Sequence, residues 1–146
     1  MLRKWEQLPE RMQNAAVRPY YEQLQKKKIS LFMKRTMDVV LSSVLLVLSA
    51  PALLVLAAAV RLDSPGPALF RQVRVTQYGR QFRIFKFRTM VNHADRMGTQ
   101  VTASGDARIT RLGKKMRQYR LDELPQLLNI LLGDMSFVGT RPEVVK

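Results

Sequence analysis

The sequence predicts a mostly helical α+β protein, in which a re-entrant membrane helix hairpin broken at Pro51 is followed by a small domain with a short β-hairpin and amphipathic helices. Three observations predict this fold. A long uncharged apolar run comes early, two short alternating runs follow a dense turn signal, and a basic amphipathic stretch then leads into a leucine-rich one. The expected boundaries are 1–35 for a basic amphipathic extension, 36–61 for the membrane element and 62–146 for the remaining domain.

Composition limits the class of protein and the kind of partner. The 146 residues are 47% hydrophobic, which suffices for one compact domain, and they carry 25 Lys and Arg against 11 Asp and Glu, a net charge of +14. Such a charge favours anionic partners, which could be nucleic acid, lipid headgroups or phosphorylated substrates. The chain has no cysteine, which excludes a disulfide framework and thiolate zinc sites.

The apolar run, Val39–Val60, contains no charged residue. It is longer than a soluble core helix usually is, and at about 1.5 Å per residue a straight helix of this length would cover roughly 33 Å, enough to cross a membrane. A signal peptide is the competing interpretation, but such sequences begin much closer to Met1. Pro51 removes a backbone donor inside the run, so we expect it to divide the run into Val39–Ala50 and Ala52–Val60.

Both flanks of the apolar run are basic, which bears on how it lies in a bilayer. The tendency of basic flanks to stay cytoplasmic would keep both ends on one side. A broken helix that dips into the membrane and returns agrees with this, provided that Ser49 or neighbouring groups satisfy the backbone acceptors freed near Pro51. A kinked helix that spans once is the alternative. The basic residues are Lys26, Lys27, Lys28, Lys34 and Arg35 before the run, and Arg61, Arg71, Arg74 and Arg80 after it.

The stretch Met1–Met33 mixes aromatic and aliphatic side chains with many basic ones. An interfacial helix on anionic lipid would suit this mixture. A flexible arm fits it equally well.

Turn-forming residues at Asp63–Pro67 introduce two strand-like runs, Ala68–Val75 and Gln81–Met90, which Tyr78 and Gly79 separate. This order predicts a β-hairpin.

The basic residues of the domain form two candidate surfaces for phosphate. In the second strand-like run side chains alternate, so the aromatic residues face one side while Lys86 and Arg88 face the other. A polar connecting loop over 92–106 separates this run from a basic amphipathic helix that begins at Ala107. A solvated basic face is the ordinary alternative for both surfaces.

An acidic pair, Asp122 and Glu123, precedes the leucine-rich stretch. Asp122 is the predicted start of a helix, with Pro125 tolerated in its first turn and Gly133 near its end. There the helix dipole and free backbone N–H groups favour the ionised carboxylate, which could act as a nucleophile toward phosphorus. Glu123 could supply an oxygen ligand for Mg²⁺, the ion that usually bridges diphosphate oxygens. Helix capping is the ordinary role of such a pair, and spacing does not choose between these roles.

Five short motifs occur in a fixed order along residues 34–142. They are Lys34-Arg-Thr-Met-Asp38 before the proline-containing run, Ser64-Pro-Gly-Pro67, Phe85-Lys-Phe-Arg-Thr-Met90, Leu121-Asp-Glu-Leu-Pro-Gln-Leu127 and Gly133-Asp-Met-Ser-Phe-Val-Gly139. Any one of them would be weak evidence. Together and in this order they resemble the bacterial sugar transferase family of monotopic phosphoglycosyl transferases.

The resemblance implies a polyprenyl-phosphate sugar-1-phosphate transferase at the cytoplasmic face of the bacterial inner membrane, held by a re-entrant helix, with 62–146 as its catalytic region. Asp122 matches the family nucleophile. It would attack the phosphate that carries the sugar of a UDP-sugar, expel UMP and form a covalent phosphosugar intermediate, which undecaprenyl phosphate then takes up. This would be the initiating step of cell-surface polysaccharide synthesis, such as exopolysaccharide or capsule, or of another glycoconjugate.

The resemblance also assigns roles to charged residues around the nucleophile. Glu123 matches the partner that holds Mg²⁺, and Arg117 matches a basic position near the substrate phosphate. Lys86, Arg88 and Arg141 are weaker matches to the same phosphate-binding role. Positive groups there would offset the charge that builds on phosphoryl oxygens in the transition state. Anionic membrane lipids are further expected partners, nucleic acid is not, and a homo-oligomer is left open.

The chain departs from the family pattern at three places. Ala50 stands directly before the membrane proline, where the family often has serine, and Ser49 comes one residue earlier, so the hydrogen bond at the break is expected to be made differently. Gly139-Thr-Arg-Pro142 replaces the usual Gly-Pro-Arg-Pro. Family members also continue beyond the position of Lys146, so we expect a C-terminally truncated member whose wall for nucleotide and sugar is incomplete.

A noncatalytic, membrane-anchored basic protein that binds anionic lipid or nucleic acid is the alternative from a different class, and a truncated inactive transferase belongs with it. This alternative explains the charge and the apolar run, but not the acidic pair between a basic helix and a leucine-rich one. It predicts that Asp122→Asn changes nothing measurable. His93, the only histidine, is assigned no role, and no segment identifies the sugar.

Overall fold

The computed structural model describes residues 2–92, 94 and 106–144. His93 and most of the predicted loop over 92–106 lie outside these residues. The helices of the described part are α1 (Arg18–Lys26), α2 (Lys28–Asp63), α3 (Arg111–Gln118) and α4 (Gln126–Leu132), and its strands are β1 (Leu69–Val75), β2 (Gln81–Phe87) and β3 (Glu143–Val144).

The strands form one antiparallel sheet in the order β2-β1-β3. The β1–β2 pair confirms the predicted hairpin, and the mostly helical α+β class is confirmed with it. Tyr78 and Gly79 at the hairpin tip both have positive φ, 65° and 75°, which suits the twist of the two strands. In the register of the pair, Phe70 lies opposite Lys86.

The apolar run lies within α2, the one helix among the described residues that is long and apolar enough to cross a membrane. This helix continues through Pro51, so the predicted division into two helices is wrong. A proline removes only its own N–H from the ladder, and the neighbouring turns keep their hydrogen bonds. The Ser49 hydroxyl donates to the Leu45 carbonyl at 2.6 Å. It does not donate to the Val47 carbonyl, the group that loses its helical partner because Pro51 has no N–H.

Both ends of α2 contact the small domain. Near its start, Arg35 donates to the carbonyls of Ile130 and Leu131 at 2.6 and 2.7 Å, which satisfies acceptors at the end of α4. Near its far end, Val60 is buried in the domain core. The middle of the helix is uncovered, and four of its side chains are 68–74% exposed: Val47, Leu48, Leu54 and Val55.

The core lies where the end of α2 meets the hairpin and α3. Val60, Ala68, Phe87 and Met116 are buried together there. Removing a large apolar side chain from water contributes about 1.5–3 kcal/mol, so this cluster is a main source of the stability of the domain.

Arg88 holds the turn between α2 and β1. Its buried guanidinium donates to the carbonyls of Val60, Ser64 and Pro65 and to the Ser64 hydroxyl, at 2.5–3.4 Å. Gly66 has a φ of 125° and lies so close to this guanidinium that an added Cβ would overlap it. These contacts make Arg88 a structural tie, and its predicted role at a substrate phosphate stays a prediction.

From residue 2 onward the N-terminal extension has a defined fold, with two short 3₁₀ turns before α1. It is therefore not a flexible arm. Leu8 and Tyr21 are buried, and Trp5 packs edge-to-face on Tyr21 at 5.1 Å between ring centroids. The Arg3 guanidinium lies 5.1 Å from the ring of Tyr78. The extension therefore docks on the tip of the hairpin.

The side chain of Asn129 forms hydrogen bonds with backbone groups on the outer edge of β2. Because β2 is an edge strand, its outward N–H and C=O groups have no strand partner. Asn129 is 0% exposed; its Oδ1 accepts from the Phe85 N–H and its Nδ2 donates to the Arg83 carbonyl, both at 2.9 Å. One amide side chain thus replaces a neighbouring strand and fixes β2 against α4.

Asn129→Ala should lower the free energy of unfolding by about 3 kcal/mol, because it removes a fully buried side chain and leaves two half-buried backbone groups of β2 without that partner. The measurement is chemical unfolding of the detergent-solubilised chain. Gln118→Ala, which removes an exposed side chain of α3, is the matched control and should change stability by no more than about 0.5 kcal/mol. Equal effects of the two substitutions would contradict this account.

Candidate active site

A cleft of about 1030 Å³ lies between the hairpin and the end of α3. It contains both members of the acidic pair, Asp122 and Glu123. A cleft with so many more cations than carboxylates concentrates polyanions such as diphosphates. The seven basic side chains that line it are Arg71, Arg74, Lys86, Arg88, Arg108, Arg117 and Arg120.

Most of the predicted site residues therefore meet in one place. Three of the four predicted phosphate-binding residues line the cleft directly, and the fourth, Arg141, reaches it through a hydrogen bond to Glu123. Ser49 and Pro51, predicted at the membrane break, lie in the exposed middle of α2. A second cleft of about 970 Å³, between the N-terminal extension and residues 132–143, contains neither Asp122 nor Glu123.

The backbone places Asp122 on a single 3₁₀ turn, Leu121–Glu123. The prediction that a helix starts at Asp122 is wrong, because α4 begins only at Gln126, with Pro125 as its N-cap. Pro125 has no N–H to donate back to Leu121, and the Leu121 carbonyl instead accepts from the Leu124 N–H at 3.3 Å, the shorter hydrogen-bond spacing of a 3₁₀ turn. Asp122 thus lies in a tight connection between two helices and not at the start of one.

The residue Asp122 is 9% exposed, and burial of its carboxyl raises its pKa. The charge of Glu123 acts in the same direction, while Lys86 and Arg117 oppose it. The predicted preference for the ionised form is therefore wrong in direction. The dipole of α4 begins too late to compensate, and the loss of water outweighs the nearby cations.

The pKa of Glu123 is shifted in the opposite direction to that of Asp122. Its Oε1 accepts from Lys86 Nζ at 3.1 Å and from Arg141 at 2.8 Å. Burial alone would raise the pKa of Glu123, but the Lys86 hydrogen bond and the charges of Lys86, Arg141 and Arg120 outweigh it, so the pKa is lowered. Two adjacent carboxyls with pKa values moved in opposite directions are suited to different tasks.

Thr89 orients Arg117 toward the cleft. The Arg117 Nε donates to the Thr89 hydroxyl at 2.8 Å. This contact needs α3 close to the chain after β2, and Gly113 permits it, because an added Cβ there would overlap the Thr89 carbonyl. Thr110 caps α3 by accepting from the Gly113 N–H at 2.9 Å. Arg117 is thereby fixed at one nitrogen, with the rest of its guanidinium directed to the cleft.

Sequence reasoning missed two cleft arginines, Arg71 and Arg74, whereas Arg108 and Arg120 belong to the basic stretch from Ala107 that was predicted as a surface for phosphate. Arg71 lies over the Phe85 ring at 5.2 Å, and its place opposite Phe85 in the hairpin register was the signal that could have found it. Burial lowers the pKa of Arg74, with a further contribution from Arg141. Arg108 pairs with Asp106 at 2.6 Å. Arg120 precedes the 3₁₀ turn that carries the acidic pair.

The acidic pair fits an Mg²⁺ ion that is shared with a phosphorylated ligand. Within residues 2–92, 94 and 106–144, no group of three or more acidic, His or Cys side chains could hold a metal. Mg²⁺ usually takes one or two carboxylates and completes its shell with water and phosphate oxygens. Asp122 and the Oε2 of Glu123 could supply those carboxylate ligands, since the cations bind Glu123 through its Oε1.

Comparison with known proteins relates the chain to one protein family. The family model described as bacterial sugar transferase matches residues 29–146, which include α2 and both members of the acidic pair. The N-terminal extension lies almost wholly before the matched region.

Three relatives illustrate the similarity. UDP-N-acetylgalactosamine-undecaprenyl-phosphate N-acetylgalactosaminephosphotransferase of Aeromonas hydrophila is 46% identical over 77% of this chain and 26% of its own length. UDP-glucose:undecaprenyl-phosphate glucose-1-phosphate transferase of Caulobacter vibrioides is 51% identical over 75% and 41%, and the enzyme of the same name from Escherichia coli is 42% identical over 93% and 29%. The chain thus spans between a quarter and about two fifths of these proteins.

Removing either carboxyl should change stability at neutral pH, with opposite signs. Folding raises the pKa of Asp122, so its contribution to stability is full below the ordinary Asp value of 3.8 and is lost as pH rises through the raised pKa. Asp122→Asn should therefore stabilise the protein at neutral pH. Folding lowers the pKa of Glu123, so its contribution is present above the ordinary value of 4.5 and is lost in acid; Glu123→Gln should destabilise.

The measurement is the unfolding midpoint of both variants and the parent from about pH 3 to about pH 8. The difference in unfolding midpoint between each variant and the parent should shrink toward the acid end of this range, where the carboxyls are protonated. If both substitutions changed the unfolding midpoint in the same direction at neutral pH, the opposite pKa shifts of Asp122 and Glu123 would be contradicted.

Proposed function

The chain belongs to the bacterial sugar transferase family, and on that premise we propose that it transfers a sugar-1-phosphate from a UDP-sugar to undecaprenyl phosphate and releases UMP. The observation that carries the proposal is the buried Asp122 in a cation-lined cleft, beside a Glu123 that Lys86 and Arg141 hold in place. The relatives above are named for the transfer of glucose-1-phosphate or N-acetylgalactosamine phosphate to undecaprenyl phosphate. We extend that reaction class to this chain.

In the first step, a carboxylate oxygen of Asp122 attacks the phosphorus that carries the sugar. The bond from that phosphorus to the bridging oxygen breaks, and UMP leaves with the electron pair, which gives an aspartyl phosphosugar. In the second step, a phosphate oxygen of undecaprenyl phosphate attacks the same phosphorus and displaces Asp122. Burial deprives the Asp122 carboxylate of water, so that it is more reactive once ionised, and Lys86 and Arg117 keep the ionised form accessible.

The neighbouring residues divide the remaining tasks. Arg117, oriented by Thr89, offers free N–H groups to the phosphoryl oxygens, where negative charge is concentrated during transfer. Lys86 and Arg141 fix the side chain of Glu123 and add positive charge at the same end of the cleft. Asp122 and Glu123 would hold Mg²⁺, which when bound would neutralise part of the diphosphate charge.

We further propose that α2 dips into the cytoplasmic leaflet of the inner membrane and returns. Contacts of Arg35 and of Val60 with the same small domain support this course, because they hold both ends of the helix on one side. Pro51 lies in the exposed apolar middle and is the natural position for the bend that a return requires. Basic residues at both ends would then lie among anionic lipid headgroups.

UMP release should depend on Asp122. The assay incubates the detergent-solubilised chain with a panel of UDP-sugars, Mg²⁺ and undecaprenyl phosphate, and separates UMP from UDP. Asp122→Asn should lower the rate by at least about 10³-fold, because the nucleophile is removed, and chelation of Mg²⁺ should abolish it. Asp63→Asn, at the exposed end of α2, is the matched control. UDP as the product would instead indicate ordinary glycosyl transfer.

The topology of α2 can be tested by thiol labelling, since the chain has no cysteine of its own. Lys27→Cys and Leu62→Cys flank the apolar middle, and Leu48→Cys lies within it. In membrane vesicles of known orientation, an impermeant reagent should label the two flanking positions from the cytoplasmic side only and should leave the middle position unlabelled. Labelling of the two flanks from opposite sides would indicate a spanning helix.

A further inference from the structure

Arg120 adopts a backbone conformation that favours glycine. Its φ and ψ are 56° and 24°, and Tyr78 is the only other non-glycine residue with positive φ in the described part of the chain. Arg120 follows the C-cap of α3, Tyr119, and its N–H donates to the Arg117 carbonyl at 3.2 Å. This is the position after a helix at which glycine is usual, because a Cβ is crowded there.

The side chain of Arg120 acts on the described part of the chain through its charge, which helps to lower the pKa of Glu123. It is exposed, lines the cleft beside the acidic pair, and has no hydrogen bond or ion pair among residues 2–92, 94 and 106–144. Each of the other six basic residues of the cleft has such a bond, an ion pair or a ring contact: Arg71, Arg74, Lys86, Arg88, Arg108 and Arg117. Within the part of the chain that the structure describes, Arg120 is thus the one cleft cation without a direct hydrogen-bond, ion-pair or ring contact.

We propose that Arg120 binds the diphosphate of the nucleotide substrate from the mouth of the cleft, and that this contact keeps an arginine where the backbone favours glycine. The inference rests on the proposed function. Strained non-glycine residues persist where the strain serves a site. A guanidinium can pair with two phosphate oxygens at once, which suits a nucleoside diphosphate. Its position beside Glu123 brings such a ligand next to Asp122.

Three substitutions separate the charge of Arg120 from its backbone conformation. Arg120→Gly removes the charge and the crowding, Arg120→Ala removes only the charge, and Arg120→Lys keeps both the charge and the crowding. The readouts are UDP affinity by titration calorimetry, UMP release, and the thermal unfolding midpoint, all on the full chain in detergent with Mg²⁺. Arg83→Gln, an exposed residue of β2 outside both clefts, controls for the lost net charge.

The two readouts should rank the variants differently. Arg120→Gly and Arg120→Ala should both bind UDP about tenfold more weakly, and Arg120→Lys, which keeps the charge but not the paired contacts of a guanidinium, about threefold more weakly, whereas Arg83→Gln should bind as the parent does. The unfolding midpoint of Arg120→Gly should equal or exceed that of the parent and should lie above that of Arg120→Ala by about 2–4 °C. A glycine variant would then be the more stable protein and the poorer binder.

The outcomes keep this inference apart from the proposed function. If Arg120→Gly binds UDP as the parent does while the parent releases UMP, the role of Arg120 is overturned and the proposed function stands. If the parent neither binds UDP nor releases UMP, the proposed function fails, and the role of Arg120 fails with it.

Discussion

The buried guanidinium of Arg88 joins the elements on which the cleft is built. From the end of β2 it bonds the last turn of α2 at Val60 and the turn at Ser64 and Pro65, so that the apolar helix and the hairpin cannot move independently. Thr89, the next residue, holds Arg117. A charge buried in this way is stable only because carbonyl oxygens surround it. Arg88 and Thr89 together thereby couple the apolar helix to a cation of the cleft that contains the proposed nucleophile.

The acidic pair shows how neighbouring residues acquire different chemistry. Asp122 and Glu123 are adjacent in sequence and lie in the same cleft, yet the cations bind only Glu123 directly. Burial acts to raise the pKa of both carboxyls, but only at Glu123 do the Lys86 hydrogen bond and the charges of Lys86 and Arg141 outweigh it, so the pKa of Asp122 is raised and that of Glu123 is lowered. A nucleophile gains from weak solvation, whereas a group that anchors cations gains from full charge. The two carboxyls differ because the Lys86 and Arg141 side chains form hydrogen bonds with Glu123 and not with Asp122.

Patterns in the sequence predicted the elements well, and contacts between elements poorly. Periodicity predicts the hairpin, the basic helix α3 and the apolar helix, because each depends on local spacing. The alternation of side chains along a strand placed Lys86 and Arg88 on one face. It could not predict that the Arg88 guanidinium donates its hydrogen bonds to the turn before β1. The start of α4 was misplaced because Pro125 was treated as a first-turn residue. The left-handed backbone of Arg120 has no signature in sequence, since arginine rarely adopts it.

The position of the site relative to the apolar helix follows from contacts near the two ends of that helix. The carbonyls at the end of α4 are bound by Arg35, and the Phe137 N–H just beyond α4 is bound by Asp38, both at the start of α2. The 3₁₀ turn of Asp122 directly precedes α4, and Asn129 ties α4 to β2. Asp122 is therefore related to the apolar helix through rigid contacts at both ends of that helix, and not through a linker. If α2 lies in the membrane as proposed, the distance from the nucleophile to the headgroups is set by the fold itself, which a reaction between a soluble nucleotide and a lipid phosphate requires.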